Sequence, residues 1–165
     1  MEYSTMQTAK NPMNEKENIA KDYPPYLVYL DAEGQTKEEV FMNIASFSEN
    51  KGLIPDKALI YQKLLDNEKA KGTTAVGYGM ALPEAYSEKL QSPFVFIFCR
   101  TKNPIDFNSA DDKPVIIIVV SLIRDATNPE SLRAAAKMTR LLRKESFQEA
   151  FLKANDENEV LSLLR

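Results

Sequence analysis

Two uninterrupted apolar runs in the second half of the chain predict strands that are buried on both faces. Residues 94–99 read FVFIFC and residues 115–120 read VIIIVV, so neither alternation of side chains is polar. A shorter aromatic and branched run at residues 26–30 predicts a third strand. Strands of the first kind need helices on each side of their sheet. We therefore predict an α/β fold in which helices cover both faces of a central sheet.

Capping signals predict two helices between the first strand and the later ones. Thr36 and Glu39 have the spacing of a capping box, and Gly52 is suited to end the helix that they start. Asp56, preceded by a proline, opens a second helix that is predicted to end near Gly72. The segment that follows, residues 75–82, contains two glycines and is predicted to be a strand under close packing.

The C-terminal part of the chain is predicted to be helical. Asn128 followed by Pro129 is an N-cap with proline at the first helical position. The predicted buried face of this helix comprises Leu132, Ala135, Ala136, Thr139 and Leu142. Its polar side carries a stripe of cations, Arg133, Lys137, Arg140 and Lys144, which is typical of a solvated face and could alternatively dock an acidic partner. Two shorter helices are predicted at about 146–154 and 157–164.

Length and charge favour one domain without a nucleic-acid function. Residues 1–24 are polar and aperiodic, so we expect a flexible N-terminal extension before a domain at 25–165. A net charge of −3 is unlike that of a nucleic-acid binder. No apolar run reaches the roughly 18 residues of a spanning helix, and residues 1–22 lack a signal-peptide core. We therefore expect a cytoplasmic protein that is not embedded in a membrane.

The side chains that are absent restrict the chemistry. The 165 residues include one cysteine, Cys99, and no histidine. An internal disulfide, a histidine-based triad and an imidazole metal ligand are therefore excluded, and a transition-metal site is not expected. We predict no metal and no cofactor.

The sequence GTTAVGYGMALPEA at residues 72–85 resembles the signature of the fructose/mannitol/nitrogen-type (type-2) enzyme IIA domains of the phosphotransferase system. Members read roughly G-S-T-G-I-G-x-G-I-A-I-P-H-A, and their histidine accepts a phosphoryl group. Residues 103–107, 112–115 and 132–142 also resemble family elements in the family's order, so the likeness covers about residues 26–164. The resemblance implies a mixed β-sheet with helices on both faces.

The resemblance also implies where an active site would lie, and all three positions depart from the family. Glu84 stands at the phosphoacceptor position, Ser131 at that of a second histidine, and Glu68 at that of an arginine. An alignment shifted by one position would pair the arginine with Asn67. The backbone amides that would hold a phosphate belong to Gly72, Thr73, Thr74, Gly77 and Gly79.

Three interpretations of Glu84 remain open at this point. It could be a solvated residue at a drifted site, a permanent negative charge that mimics the phosphorylated state, or an unusual phosphoacceptor. The predicted function is that of a IIA-like regulatory protein without phosphocarrier activity, whose partners are other proteins such as a kinase, a transporter or a phosphotransferase component. The alternative is an active phosphocarrier that uses Glu84, Thr73, Thr74 or Ser131. An engineered replacement of histidines is a third, less simple account, and the oligomeric state is not predicted.

Overall fold

A computed structural model of the chain describes residues 26–164 and contains one six-stranded mixed sheet. The strands are β1 (Tyr26–Ala32), β2 (Ala75–Gly77), β3 (Met80–Ala81), β4 (Glu84–Tyr86), β5 (Phe94–Ile105) and β6 (Val115–Ile123). Their order is β1-β5-β6-β3-β2, and β4 also pairs with β6. Pairing is antiparallel in β5–β6 and β2–β3, and parallel in β1–β5, β3–β6 and β4–β6. The mixed sheet implied by the family resemblance is confirmed.

Five helices cover the two faces of the sheet. They are α1 (Lys37–Asn50), α2 (Lys57–Lys71), α3 (Pro129–Leu142), α4 (Glu145–Lys153) and α5 (Glu157–Leu163). Successive side chains of β5 point to opposite faces of the sheet, and both faces are covered, which explains why its run is apolar throughout. Val95, Ile97 and Cys99 belong to the core cluster that includes α1 and α2 residues, whereas Phe94, Phe96 and Phe98 belong to the cluster that includes residues of α3, α4 and α5. Each face therefore has its own hydrophobic core.

The predicted helix starts are confirmed, each with its side-chain cap. Thr36 accepts a hydrogen bond from the Glu39 amide, Asp56 from the Ala58 amide, and Asn128 from the Ser131 amide. The Glu39 carboxylate accepts from the amide of Gln35, one residue before the N-cap expected for a capping box.

Three details of the sequence prediction are wrong. Residues 75–82 form not one strand but the β2–β3 hairpin, because consecutive positive φ angles at residues 77–79 reverse the chain. Residues 103–105, where the pair Asn103-Pro104 is typical of a turn, belong instead to the long β5 strand. The buried residues of α3 are Ser131, Ala134, Met138 and Leu142; of the predicted face, only Leu142 is fully buried, because the sheet contacts the adjacent side of the helix.

The remaining predictions concern Cys99, the extension and membrane spanning. The Cys99 side chain is fully buried in the sheet, and this burial raises the pKa of its thiol. The predicted extension, residues 1–24, lies outside the described residues. Among the described helices, none has the length and apolar character needed to cross a bilayer.

Candidate functional site

The start of the glycine-rich segment is held by a buried carboxylate. Glu68, near the end of α2, accepts hydrogen bonds from the Thr74 amide at 3.1 Å and from the Thr74 hydroxyl at 2.5 Å. The Lys37 ammonium at the start of α1 lies 2.9 Å from the same carboxylate and 5.2 Å from the centre of the Phe107 ring. Because Glu68 and Thr74 are buried, these contacts satisfy groups that water does not reach.

Thr73 ties the same loop to a different part of the chain. Its hydroxyl donates to the Phe107 carbonyl at 2.6 Å and accepts from the Ala75 amide at 3.1 Å. Together, Thr73 and Thr74 connect the loop to α1, to α2 and to the segment after β5. The backbone from Gly72 to Ala75 is therefore fixed from three directions.

Glu84 is the first residue of β4 and pairs with Ser121 of β6. Its backbone amide donates to the Asn67 side-chain oxygen at 2.8 Å. Its carboxylate lies 3.8 Å from the Lys71 ammonium and accepts a hydrogen bond of 3.4 Å from the Tyr86 hydroxyl. The side chain is 33% exposed, so a partner in solution can reach its charge.

Tyr86 is affected by this carboxylate. Burial raises the pKa of the Tyr86 hydroxyl, and the negative charge and hydrogen bond of Glu84 raise it further. The neutral hydroxyl therefore remains a hydrogen-bond donor to Glu84 at physiological pH. Glu84, Lys71 and Tyr86 thus form a small polar cluster at the surface, with one carboxylate and one ammonium.

The structure separates the two residues that could align with the family arginine. The Glu68 carboxylate is engaged by Lys37 and Thr74, inside the protein. The preceding residue, Asn67, contacts the backbone of Glu84. Asn67 and Lys71 are thus residues of α2 whose side chains reach Glu84, whereas the Glu68 side chain holds the start of the glycine-rich segment.

Ser131 lies in the first turn of α3 and is buried. Its amide is used by the Asn128 cap at 3.0 Å. Its hydroxyl finds no hydrogen-bond partner within the described part of the chain. The side chain fills space beneath the helix rather than facing solvent.

The far end of the glycine-rich segment is the tip of the β2–β3 hairpin. Gly77, Tyr78 and Gly79 have φ angles of 92°, 60° and 75°, a conformation that favours glycine at the two outer positions. The Asp111 carboxylate accepts from the Tyr78 amide at 3.0 Å and from the Lys113 amide at 3.1 Å. The hydrogen bond from the Tyr78 amide is the main cause that lowers the pKa of Asp111.

Two of the five backbone amides predicted to hold a phosphate donate hydrogen bonds within the protein. The Gly72 amide donates to the Lys69 carbonyl, and the Thr74 amide donates to Glu68. The Gly79 carbonyl accepts from the amides at positions 116 and 117. These backbone groups therefore stabilise the local fold, and the amides of Gly72 and Thr74 are occupied by protein acceptors.

Sequence reasoning missed four residues that shape the site, namely Lys37, Lys71, Tyr86 and Asp111. The contacts of Lys37 and Asp111 span 31 and 33 residues of chain. Only the shifted alignment pointed to Asn67.

Comparisons with known proteins place this architecture in a family. Residues 24–165 match the family described as "Phosphoenolpyruvate-dependent sugar phosphotransferase system, EIIA 2". The chain belongs to this type-2 EIIA family.

The relatives within that family include nitrogen regulatory and sugar-specific proteins. The chain is 36% identical over 105 residues to a nitrogen regulatory protein of Bradyrhizobium diazoefficiens, covering 64% of this chain and 67% of the relative. It is 28% identical over 147 residues to the fructose-specific EIIA component of Haloferax volcanii, covering 89% and 94%.

Solved structures give the same result for the fold. The nitrogen regulatory protein IIA-Ntr of Neisseria meningitidis superposes with a TM-score of 0.74 at 25% identity, over 84% of this chain and 92% of that protein. The mannitol IIA domain of Escherichia coli gives 0.67 at 23% identity, over 84% and 95%. The same mannitol domain has been solved in complex with phosphorylated enzyme IIB, where it gives 0.66 at 23% identity over 83% and 92%.

Proposed function

We propose that this protein is a regulatory member of the EIIA type-2 family that acts in the cytoplasm by binding other proteins and does not carry phosphoryl groups. The observation that carries the proposal is the complete absence of histidine from the 165 residues. In the family resemblance, histidine supplies the nucleophile, and Glu84 stands in its place. The family relay depends on an imidazole nucleophile, and a carboxylate does not supply that group.

The surroundings of the alternative acceptors support this proposal. The Thr74 side chain is buried and its hydroxyl donates to Glu68, while the Ser131 side chain is buried beneath α3. The Thr73 hydroxyl donates to the Phe107 carbonyl. A phosphoryl donor would have to disrupt packing or a hydrogen bond to reach any of the three. The Glu84 side chain, by contrast, is partly exposed.

The direct test is a phosphorylation assay that measures intact mass. The protein is incubated with phosphoenolpyruvate and the general phosphotransferase proteins, beside a histidine-containing nitrogen regulatory protein as a positive control. We expect the mass of one added phosphoryl group in the control and none in this protein. A phosphorylated wild-type protein would overturn the proposal, and loss of that mass in Glu84→Gln would identify the acceptor.

The role that we propose for Glu84 is recognition through its charge. A carboxylate places about one negative charge where a phosphorylated residue would place nearly two. Lys71, at 3.8 Å and half exposed, offsets this charge only partly, because an ion pair at the surface is screened by water. A partner that recognises the phosphorylated state of the family would therefore meet a negative charge that is always present but smaller than that of a phosphoryl group.

The recognition role is tested by affinity purification from the native cell with the wild type, Glu84→Gln and Glu88→Gln. Glu88 is an exposed acid four residues along the chain, so its variant controls for the loss of one surface charge. We expect a specific partner to be depleted about tenfold by Glu84→Gln and unaffected by Glu88→Gln, since an interfacial charge contributes to affinity. Equal recovery with all three proteins would contradict the role of Glu84 and leave the binding function intact.

A further inference from the structure

One side of α3 is exposed although its side chains are apolar or small. Leu132 is 56% exposed, and it shares a helix face with Ala135, Ala136 and Thr139. The Thr139 hydroxyl donates to the Ala135 carbonyl at 3.0 Å, so its hydrogen-bonding group is turned back to the helix. This is the face that the sequence predicted to be buried. Within the described structure it has no covering element.

The β2–β3 hairpin continues this apolar surface. Val76 is 50% exposed and Tyr78 is 74% exposed, on the outermost strand of that side of the sheet and at the hairpin tip. A groove of about 480 Å³ lies between the hairpin and the end of α3, with Met80, Thr139 and Leu142 in its lining. The two exposed hairpin side chains and the exposed α3 face lie on either side of this groove, and we call them together the α3–hairpin surface.

Positive charge lies along the α3 side of the α3–hairpin surface. Residues 131–145 contain five cations, Arg133, Lys137, Arg140, Arg143 and Lys144, against one acid, Glu145, in a chain whose net charge is −3. All five cationic side chains are exposed, and Arg143 and Glu145 line the groove. No ion pair joins any of the five to a carboxylate within residues 26–164. The α3 edge of this apolar surface is therefore positive, whereas Asp111 lies at the hairpin tip and Glu145 in the groove.

The groove of the α3–hairpin surface is separated from the Glu84 site along β6. Met80 pairs with Ile117 and Glu84 with Ser121, four positions further along β6, which corresponds to about 13 Å of strand. Leu142 borders the groove beside Met80, whereas Ser131 follows β6 after a short loop. Because α3 thus runs back along β6, its exposed face extends from the groove toward the end of the sheet that holds Glu84.

We propose that the α3–hairpin surface binds a helix of a partner protein whose apolar stripe is flanked by Asp and Glu. The positive charge along α3 favours an acidic partner. The groove between α3 and the hairpin fits the apolar side of an amphipathic helix. The small side chains of Ala135 and Ala136 allow the partner's backbone to approach α3 closely. This inference rests on the proposed binding function and assigns it a location and a partner chemistry.

The test uses short stapled helical peptides as probes, titrated into the full-length protein labelled with nitrogen-15. Three peptides share one Leu/Met stripe and carry Glu, Gln or Lys on its flanks. We expect the Glu peptide to shift the amide signals of Tyr78, Ala136 and Thr139, with an affinity that falls as salt is raised. The Gln peptide should bind more weakly, and the Lys peptide should leave these signals unchanged.

Matched variants separate the apolar contact from the charge. Leu132→Asp removes the exposed leucine of the surface, and Leu152→Asp changes a comparably exposed leucine on α4 that lies outside it. We expect Leu132→Asp to weaken binding of the Glu peptide about tenfold and Leu152→Asp to leave it unchanged. Arg133→Glu with Arg140→Glu should abolish the preference for Glu over Lys. Lys89→Glu with Lys153→Glu, which makes the same change in net charge, should retain that preference.

Several results would overturn the proposal. Equal affinities for the Glu and Lys peptides would remove the charge argument, and shifts confined to other residues would place the binding surface elsewhere. Failure of all three peptides to bind would contradict the surface altogether. A dimer in sedimentation velocity that Leu132→Asp dissociates would identify a second copy of this chain as the occupant instead. None of these measurements depends on Glu84 or on phosphorylation, so the proposed function can survive each of them.

Discussion

The two ends of the glycine-rich segment are built in opposite ways. At residues 72–74, the backbone and side chains are held inside the protein by Glu68, Lys37 and the Phe107 carbonyl. At residues 76–79, one exposed carboxylate, Asp111, holds the tip, and the side chains of Val76 and Tyr78 project into solvent. Fewer than ten residues thus contain both an anchored loop and an exposed one.

This difference shows that a recognisable motif need not serve one purpose. The anchored end uses its polar groups for internal hydrogen bonds, which fix the path of the chain from α2 into β2. The exposed end contributes apolar side chains to the surface and little to the core. The first end therefore accounts for the retained scaffold, and the second is the end that can meet a partner.

The largest loss of stability is expected from Glu68→Ala, which removes the carboxylate that holds residues 72–74. This change leaves the largely buried Lys37 ammonium without its partner and the Thr74 amide and hydroxyl without an acceptor. Breaking a buried pair on one side costs about 3 kcal/mol of unfolding free energy. Urea unfolding should show a loss of this size.

The controls for the anchor are an exposed acid and a milder change at the same position. Glu38→Ala, on the exposed side of α1, should alter the unfolding free energy by less than about 0.5 kcal/mol. Glu68→Gln retains an acceptor for Thr74, so its loss of unfolding free energy should lie between those of Glu38→Ala and Glu68→Ala. If Glu68→Ala proved as stable as Glu38→Ala, the proposed difference between the two ends would disappear.

A local effect is expected at the exposed end from Asp111→Asn. Because the Tyr78 amide lowers the pKa of Asp111 below its usual 3.8, the charged carboxylate stabilises the hairpin above that pH, and the contribution is lost as the pH falls through the lowered value. The Tyr78 amide signal should therefore titrate with a midpoint below 3.8 in the wild type. In Asp111→Asn this titration should vanish and amide exchange at Tyr78 should accelerate.

The matched variant for Asp111 is its neighbour, Asp112→Asn, which removes one charge beside the hairpin contact. We expect the Tyr78 amide to titrate in this variant as in the wild type. Persistence of the titration in Asp111→Asn would assign it to another group and contradict the contact.

The smallest effect on stability is expected from Tyr78→Asn. Asparagine tolerates the left-handed backbone at this position better than most residues, and the tyrosine ring is largely exposed. Chemical denaturation should show a change of less than about 0.5 kcal/mol, while binding of the Glu peptide should weaken. A loss of stability comparable to that of Glu68→Ala would show that the hairpin tip is part of the core.

The elements of the fold were predictable where their signals are local. Asp56 and Asn128 cap helices through residues two and three positions away, and the two apolar strands carry their burial in their own sequence. The face of α3 was not predictable in this way. Ala134 and Met138 form one apolar stripe, and Leu132 with Ala136 forms another, so only the position of the sheet decides which of them is buried.

The candidate site was less predictable than the fold because its contacts are distant in the chain. Resemblance pointed to the segment that contains Glu84 and, with a shifted alignment, to Asn67, but not to the hydrogen bond between the Asn67 side chain and the Glu84 amide. The identity of Glu68 as a loop support depends on Lys37, which comes from another helix. A motif specifies which residues follow one another, but the packing of distant segments decides which residue pairs with each buried charge.

Cys99 provides a built-in probe of these differences. It is the one cysteine of the chain, and its thiol lies at the centre of the sheet with a raised pKa. A thiol reagent such as a maleimide can react with it only when the sheet has opened, since reaction requires both access and a thiolate. The rate at which the reagent modifies each variant therefore reports how often the sheet opens, and no additional cysteine has to be introduced. By this readout, loosening the loop near Glu68 should speed modification, and changing the hairpin tip should not.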